Sequence, residues 1–246
     1  MKRSFVKTEN AQRFRNHVAA ARNSGAKEAQ GMIVHGRPGE GKTACLHRYG
    51  SDTQGVFLTG QPDWTITRMM SRIAAQLGLT IDRNLDTRII QALMGDFEEP
   101  LPIIVDEAGF GLANNAACIE KLRCITDQSY SPLILCFMSN DMRILDSSKY
   151  RQLSSRIATR CEFKKSTLED VSKVFAELCE WQVDESLAHA VHQKTDGRMR
   201  LIMNSVARIE QFAKVSKMPK GSAVKFEQIR DKGLFEDFIV SARGMQ

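Results

Sequence analysis

From its start to about residue 165, the chain alternates short unbroken apolar runs with longer segments whose apolar positions recur at helical spacing. The runs predict strands buried on both faces, at Gly31–His35, Val56–Thr59, Leu101–Val105, Leu133–Met138 and Arg160–Phe163. The periodic segments predict helices over Asn10–Arg22, Thr65–Leu77, Asp86–Met94 and Asn114–Asp127. Such strands alternating with helices are typical of a parallel sheet that helices cover on both faces.

The pattern changes at Ser166, after which no strand run of comparable quality follows. Apolar spacing instead predicts the helices Leu168–Trp181, Glu185–Thr195 and Met199–Val215, a basic loop over Lys214–Lys225, and a closing helix over Phe226–Val240. The sequence therefore predicts an α/β domain over residues 1–165, which includes an N-terminal helix over 8–22, and a small all-helical domain over residues 166–246.

The composition is that of an ordinary globular protein, with 246 residues of which 42% are hydrophobic and 26% are charged. No apolar run approaches the ~18 residues that span a bilayer. The charged N-terminus is followed by polar residues instead of the apolar core of a signal peptide. We therefore expect a cytoplasmic protein with no membrane partner.

The spacing of the cysteines and histidines argues against disulfides and a zinc site, and the distribution of charge indicates the kind of macromolecular partner. The six cysteines are scattered without a C-x-x-C pair, which predicts reduced thiols, and His189 and His192 lack the companions that a zinc site requires. The net charge is +6, and seven Lys or Arg residues fall in each of the segments 1–27 and 143–165. This clustering favours a polyanion such as nucleic acid as a partner, although a solvated face or contacts to nucleotide phosphates would also account for it.

A glycine-rich segment directly follows the first predicted strand and leads into a helix. The residues Gly36–Thr43 fit the phosphate-binding pattern G-x-x-x-x-G-K-[ST]. Glycines let backbone N–H groups turn toward a phosphate, Lys42 reaches the β- and γ-phosphates, and Thr43 ligates Mg²⁺. The sequence thus predicts a nucleotide site formed by Gly36, Pro38, Gly39, Glu40, Gly41, Lys42, Thr43 and Ala44.

Two carboxylates end the third predicted strand. An acidic residue at the carboxyl end of a parallel strand lies beside the phosphate loop, where Asp106 holds the Mg²⁺ and Glu107 acts as general base on the attacking water. The alternative for Glu107 is a helix-initiating charge, because acids favour helix N-termini. The position of Glu107, directly after Asp106 at the end of the predicted strand, favours the catalytic role over the helix-initiating one.

Three further polar positions follow in chain order. Asn140 comes just after the fourth predicted strand, near where the γ-phosphate and the lytic water are expected. Arg156 lies in Ser154-Ser155-Arg156-Ile157, and Arg200 ends Gly197-Arg198-Met199-Arg200 in the helical domain. Each motif alone is weak evidence of a nucleotide-hydrolysing site. In this order, after a phosphate loop and Asp-Glu, the three together are strong evidence of one.

With these motifs the chain resembles an AAA+ ATPase over essentially its whole length. The resemblance implies ATP and Mg²⁺ as cofactors, held between the sheet domain and a helical lid. It implies that Lys42 and Thr43 belong to Walker A, Asp106 and Glu107 to Walker B, Asn140 to sensor 1 and Arg200 to sensor 2. Arg156 resembles the arginine finger supplied to a neighbouring subunit, with Arg151 or Arg160 as alternatives.

Within the AAA+ proteins, three motifs are similar to those of the B-type transposition proteins of Mu-like bacteriophages and related transposon ATPases. They are Thr8-Glu9-Asn10-x-x-Arg13, Pro62-x-Trp64-Thr65 and Asp106-Glu107-Ala108. The resemblance implies an ATPase that oligomerises on double-stranded DNA without sequence preference, as a helical filament or ring, and regulates a transposase in a bacterial or phage-infected cell. The alternatives are an AAA+ ATPase of the helicase-loader type and a regulator that binds no nucleic acid.

The inner surface of such a filament or ring is expected to come from two segments, Gly60–Arg72 and Gly109–Arg123. Phosphate contacts are therefore expected from Arg68, Lys121 and Arg123. Trp64 is expected to pack in the core instead of stacking on bases. The alternative DNA surface is the basic N-terminal helix around Arg13 and Arg15.

Overall fold

The computed structural model describes residues 1, 2, 4–23, 31–95, 99–145 and 150–229. Within this description the chain divides into two compact units. The sheet unit comprises Arg13–Pro38 and Lys42–Phe163, and the helical unit comprises Met1–Gln12, Gly39–Gly41 and Lys164–Gln246. The N-terminal residues therefore group with the last third of the chain, and so do three residues of the glycine-rich loop.

Among its described residues, the sheet unit contains a five-stranded sheet in the order β2-β3-β4-β1-β5. The strands are β1 Gly31–Gly36, β2 Val56–Thr59, β3 Ile103–Asp106, β4 Leu133–Met138 and β5 Ile157–Glu162. All neighbouring pairs are parallel. The expected α/β class with a parallel sheet is confirmed, and the side chains of Ile103, Ile104 and Val105 are fully buried, as the unbroken apolar runs require.

Helices connect the strands and cover the sheet. They are α1 Glu9–Arg22, α2 Lys42–Thr53, α3 Ile66–Gln76, α4 Leu85–Met94, α5 Ala113–Ser129, α6 Met142–Leu145 and α7 Arg151–Ser155, with a 3-10 helix over Ala108–Leu112. Helix α3 shows how local chemistry sets these bounds: the Thr65 side chain caps the helix by accepting from the Arg68 N–H, and the buried face carries Met69 and Ile73.

The helical unit has its own hydrophobic core. Its elements are α8 Leu168–Leu178, β6 Gln182–Val183, α9 Glu185–Thr195, α10 Met199–Val215, β7 Ala223–Val224 and α11 Phe226–Ile229. The unit is therefore not all-helical as expected, since β6 and β7 pair in parallel; each has only two residues, too few to show a strand pattern in the sequence. Thr167 and Asp184 cap α8 and α9 through their side-chain oxygens. Val6, far away in sequence, packs into the same core with Val171, Val174 and Ile202.

The first residues of β3 and β5 differ from those expected from the sequence, because pairing with neighbouring strands sets where each strand begins. β3 starts at Ile103 instead of Leu101, because Pro102 has no N–H for the ladder. β5 starts earlier than expected, at Ile157, because Ile157 pairs with Gly31 of β1. The helix expected over Phe226–Val240 is described only as Phe226–Ile229, and its remainder lies outside the described residues.

Other expected helices end or begin at different residues. The helix expected to reach Trp181 ends at Leu178, since the chain then enters β6. Helices α6 and α7 were not predicted, because each is too short to show a helical period. None of the helices in the described part of the chain is long and apolar enough to cross a membrane.

Candidate nucleotide-binding site

The glycine-rich loop connects the carboxyl end of β1 to the first residue of α2. Gly39 and Gly41 have φ angles of 85° and 91°, a backbone conformation that only glycine adopts without strain. Helix α2 starts at Lys42 and runs for 12 residues. Its N-terminal N–H groups and the positive end of its dipole are the elements that bind a phosphate group.

Lys42 is buried, and its ammonium group is held at the loop. Its Nζ donates to the carbonyl oxygen of Gly36 at 2.7 Å and to that of Arg37 at 2.9 Å. Backbone carbonyls are neutral acceptors, so a phosphate oxygen would replace them at a gain in electrostatic energy. The position of Lys42 therefore fits the role that the sequence predicted for it.

The oxygen atoms of Thr43 and Asp106 lie together. The Thr43 hydroxyl donates to Oδ2 of Asp106 at 2.7 Å, and the Glu107 N–H donates to Oδ1 at 2.9 Å. Hydroxyl and carboxylate oxygens are the ligands that Mg²⁺ prefers, so this pair fits the predicted Mg²⁺ site. The alignment of β3 beside the loop brings together two residues that are far apart in sequence.

Cys136 lies beside this pair and was not singled out from the sequence. It occupies the middle of β4, which pairs with both β1 and β3. Burial raises the pKa of the Cys136 thiol, and the nearby Asp106 carboxylate raises it further. The Cys136 thiol therefore stays neutral.

Glu107 takes a backbone conformation that is uncommon for a residue with a side chain. Its φ angle is 52°, and its side chain is exposed. The 3-10 helix over Ala108–Leu112 follows it directly, and the Phe110 N–H donates to the Glu107 carbonyl oxygen at 3.2 Å. Uncommon backbone conformations of this kind concentrate at functional sites.

Gly60 holds the Glu107 peptide in place. The Gly60 N–H donates to the carbonyl oxygen of Asp106 at 2.8 Å, and a Cβ on Gly60 would overlap the carbonyl oxygen of Glu107. β2 and β3 are neighbours in the sheet, so the residues that follow them meet at its carboxyl edge. From the sequence, Gly60 is only the first residue of the segment expected to face DNA, because a glycine after a strand has the same local pattern as any turn.

Asn140 lies at the same edge, after the neighbouring strand β4. It belongs to the short 3-10 turn Ser139–Asp141, and its side chain is exposed. The turn is held by Asp141, whose Oδ2 accepts from the Met138 N–H at 3.1 Å. Gly109 lies directly against the Asp141 carboxylate, which links the turn to the segment after Glu107.

Within the helical unit, the loop glycines contact the start of α10. The Arg200 N–H donates to the carbonyl oxygen of Gly39 at 3.0 Å. A Cβ on Gly39 would lie 3.4 Å from Cβ of Arg200, and one on Gly41 would lie 3.6 Å from Cγ of Met199. Arg200 thus sits at the glycine loop, with an exposed side chain.

Asn10 connects two further parts of the helical unit. It is 4% exposed, and its side chain pairs with both backbone groups of Lys164: Nδ2 donates to the carbonyl oxygen at 2.6 Å, and Oδ1 accepts from the N–H at 3.0 Å. Nδ2 also lies 3.5 Å from the carbonyl oxygen of Glu40. In the sequence, Asn10 belongs to the Thr8-Glu9-Asn10 motif, but nothing in that motif indicates that it contacts Lys164.

Arg156 lies at the opposite edge of the sheet, between α7 and β5. Its carbonyl oxygen accepts from the N–H of Gly31, the first residue of β1, at 3.0 Å. The phosphate loop follows the other end of this six-residue strand, which is about 20 Å long. Arg151 is exposed on α7 and Arg160 is exposed on β5.

The three expected DNA contacts all have carboxylate partners. Arg68 pairs with Asp63, and Lys121 pairs with Asp86. Arg123 contacts Glu120 and Asp127, each at 2.8 Å. Trp64 is 6% exposed and belongs to the core of the sheet unit, as expected of a packing residue.

Comparisons with known proteins find similarity in solved structures. No family model matches the chain, and no curated protein matches it. The RuvB Holliday junction branch migration motor of Thermotoga maritima superposes with a TM-score of 0.60 at 18% identity, over 93% of this chain and 69% of that one. Domain III of the Thermotoga maritima replication initiation protein DnaA superposes with a TM-score of 0.60 at 12% identity, over 96% and 95%.

A third similar structure is Drosophila ORC bound to DNA, with a TM-score of 0.58 at 16% identity, over 94% of this chain and 62% of that one. These structures are AAA+ ATPases, and TM-scores of 0.58 to 0.60 show that the fold is shared although the identities are only 12% to 18%. The chain therefore has the fold of the AAA+ ATPases, as its motifs predicted.

Proposed function

We propose that the protein is an ATPase that hydrolyses ATP to ADP and phosphate as a switch for its assembly on double-stranded DNA. The observation that carries the proposal is the convergence of Lys42, Thr43, Asp106 and Glu107 at the carboxyl edge of one sheet. The AAA+ fold supports it, because this set of residues is the one that phosphoryl transfer requires.

Each residue has a separate role in this proposal. The loop N–H groups and Lys42 bind the phosphates, and Glu107 orients and deprotonates the attacking water. Thr43 and Asp106 would hold Mg²⁺, which neutralises charge on the phosphates. Asn140 and Arg200 act as sensors of the γ-phosphate. The sheet unit carries Lys42, Thr43, Asp106 and Glu107 and serves as the nucleotide-binding domain, and the helical unit serves as the lid.

Hydrolysis depends on a neighbouring subunit in this proposal. Arg156 lies one strand length from the phosphate loop of its own chain, so it serves the nucleotide of another copy. A head-to-tail interface of this kind repeats as a ring or as an open helix. We therefore propose a homo-oligomer, in which Arg156 is the finger and Arg151 and Arg160 are its alternatives.

DNA as the partner is supported by the two basic clusters of the sequence and by the similar structures. RuvB is a branch migration motor and the ORC structure is bound to DNA. Among the three expected contacts, Arg68 is the most accessible, with 60% of its side chain exposed, and Arg123 the least, with 18%. Arg68 is therefore the first residue to test, with Lys121 next.

The regulation of a transposase rests on the Thr8-Glu9-Asn10, Pro62-x-Trp64-Thr65 and Asp106-Glu107-Ala108 motifs. The second candidate function is a helicase loader, which the likeness to the replication initiation protein DnaA favours. Electron microscopy of the protein with ATP and plasmid DNA separates the two. Continuous filaments support the first function, discrete complexes formed only when a hexameric helicase is added support the second, and neither product would contradict both.

A further inference from the structure

A network of ion pairs connects helix α5 to the junction between α7 and β5. On α5, the Arg123 guanidinium donates from Nε to Glu120 and from Nη1 to Asp127, each at 2.8 Å. Asp127 Oδ2 also lies 3.4 Å from Nε of Arg156. Asp127 is therefore shared by an arginine of its own helix and by the residue proposed as the finger.

The network is partly shielded from water. The side chain of Asp127 is 25% exposed and that of Arg123 is 18% exposed. Ion pairs at such positions are screened less by salt than fully exposed pairs. Arg123 is anchored at i−3 and i+4 on a regular helix, so it also fixes the position of the Asp127 carboxylate.

Contacts restrain both the backbone and the side chain of Arg156. Its backbone is fixed by the Gly31 N–H on its carbonyl oxygen and by its own N–H, which donates to Leu153 at 3.0 Å. Its Nε forms an ion pair with Asp127 Oδ2 at 3.4 Å, and its side chain is 38% exposed. A long arginine side chain loses many rotamers when it reaches a phosphate, and a partner that removes rotamers beforehand lowers this cost.

We infer that Asp127 is a positioning residue for Arg156, which holds the guanidinium in one orientation for the nucleotide of the neighbouring subunit. This inference rests on the proposed function, since it takes Arg156 as the finger. Loss of the Asp127 carboxylate should therefore lower the rate of hydrolysis when it is lost from the subunit that supplies the finger, and not when it is lost from the subunit that hydrolyses.

A mixed-subunit ATPase assay tests this claim. Glu107→Gln subunits bind ATP and supply a finger but do not hydrolyse, while Arg156→Ala subunits hydrolyse only with a neighbour's finger. Their mixture, with ATP and DNA, is the reference. Asp127→Asn is then added either to the Glu107→Gln donor or to the Arg156→Ala acceptor. We expect about 10-fold lower activity in the first case, within the range typical of coupled side chains, and a change of less than about twofold in the second.

Two further variants separate positioning from simple stabilisation. Glu120→Gln in the donor removes the other carboxylate on Arg123 and leaves the Asp127 carboxylate in place, and we expect it to lower the mixture's activity less than Asp127→Asn does. Asp127→Glu in the donor keeps the charge, and we expect it to restore part of the activity. Thermal unfolding of each variant is measured alongside, so that loss of folding is recognised directly.

The outcomes are distinct. Equal effects of Asp127→Asn in donor and acceptor, or no effect in either, would overturn the positioning role. An effect of Glu120→Gln as large as that of Asp127→Asn would assign the loss to α5 and overturn it as well. A reference mixture without activity would remove Arg156 as the finger, which refutes that part of the proposed function and the inference with it.

Discussion

The two edges of the central sheet carry their charged residues in different ways. At the carboxyl edge, the Lys42 ammonium is held by neutral carbonyl oxygens of the loop. At the amino edge, Arg123 and Arg156 contact the full negative charge of Asp127. Hydrogen bonds to an ionised group are stronger than those between neutral groups, so the Asp127 carboxylate restrains the arginines that contact it. Under the proposed function, the first edge receives phosphate and the second holds a side chain in place.

Uncommon backbone conformations occur at both edges of the sheet. The carboxyl edge includes Glu107 with a φ angle of 52° and the close approach of Gly60 to its peptide. At the amino edge, Gln54 before β2 and Tyr130 before β4 have φ angles of 53° and 55°. Positive φ angles therefore do not by themselves mark the chemical site, and the contacts of Glu107 and Gly60 have to be tested directly.

The largest effect is expected from the arginine at the amino edge. Arg156→Ala should lower ATP hydrolysis by about 10³-fold or more, because a finger supplied in trans is worth about 10³–10⁵ in rate. ATP binding should persist, since Lys42 and Thr43 are untouched. Steady-state hydrolysis and equilibrium ATP binding check this together. Full activity of Arg156→Ala, with a loss in Arg151→Ala or Arg160→Ala, would move the finger.

Glu107→Gln at the carboxyl edge should lower hydrolysis by about 10²–10⁴-fold, the usual contribution of a general base. ATP should still bind, and the assembly on DNA should last longer because it no longer turns over. Hydrolysis and the lifetime of DNA complexes are measured in parallel. Glu99→Gln, at another exposed glutamate of the sheet unit, is the matched control. Near wild-type hydrolysis in Glu107→Gln would refute its role as base.

Gly60→Ala should lower hydrolysis by about 10²-fold, because a shift of about 1 Å in a catalytic group has an effect of that size. The added Cβ must displace the Glu107 peptide, which it would otherwise overlap. Gly78→Ala is the control: Gly78 has a φ angle of 66°, and no atom lies within 4 Å of an added Cβ. It should lower thermal stability and leave turnover per folded molecule unchanged. Equal loss of turnover in both variants would contradict the positioning of Glu107 by Gly60.

The smallest effect is expected on DNA binding. Arg68→Ala should weaken binding a few-fold at low salt, equally for all sequences, and reduce the slope of log affinity against log salt by about one unit. Arg123→Ala should change the slope less, because Arg123 lies between two carboxylates. Fluorescence anisotropy over a salt series measures both. A flat response in both variants, with assembly intact, would move the DNA surface to α1 around Arg13 and Arg15.

Local sequence patterns predicted most of the secondary structure and the glycine loop with the acidic residue beside it. β2, β4, α9 and α10 have the expected bounds, because unbroken apolar runs and helical periods are properties of neighbouring residues. The sequence also predicted that Lys42 lies at the glycine loop and Asp106 near Thr43, because the phosphate-loop pattern needs specific residue types at fixed spacing. The contacts of Gly60, Cys136, Asn10 and Asp127 were not predicted, since nothing next to these residues in the chain indicates their partners.

The sequence by itself therefore determined the alternation of strands and helices, the glycine loop and the acidic pair, all of which follow from local chemistry. Only the tertiary structure decided the strand order, which aligns β3 with the loop and brings Asp106 to Thr43. It also decided the contacts of Asn10 with Lys164 and of Asp127 with Arg156. The physical reason is that such contacts depend on how whole elements pack, and packing is settled by the entire core and not by any one segment.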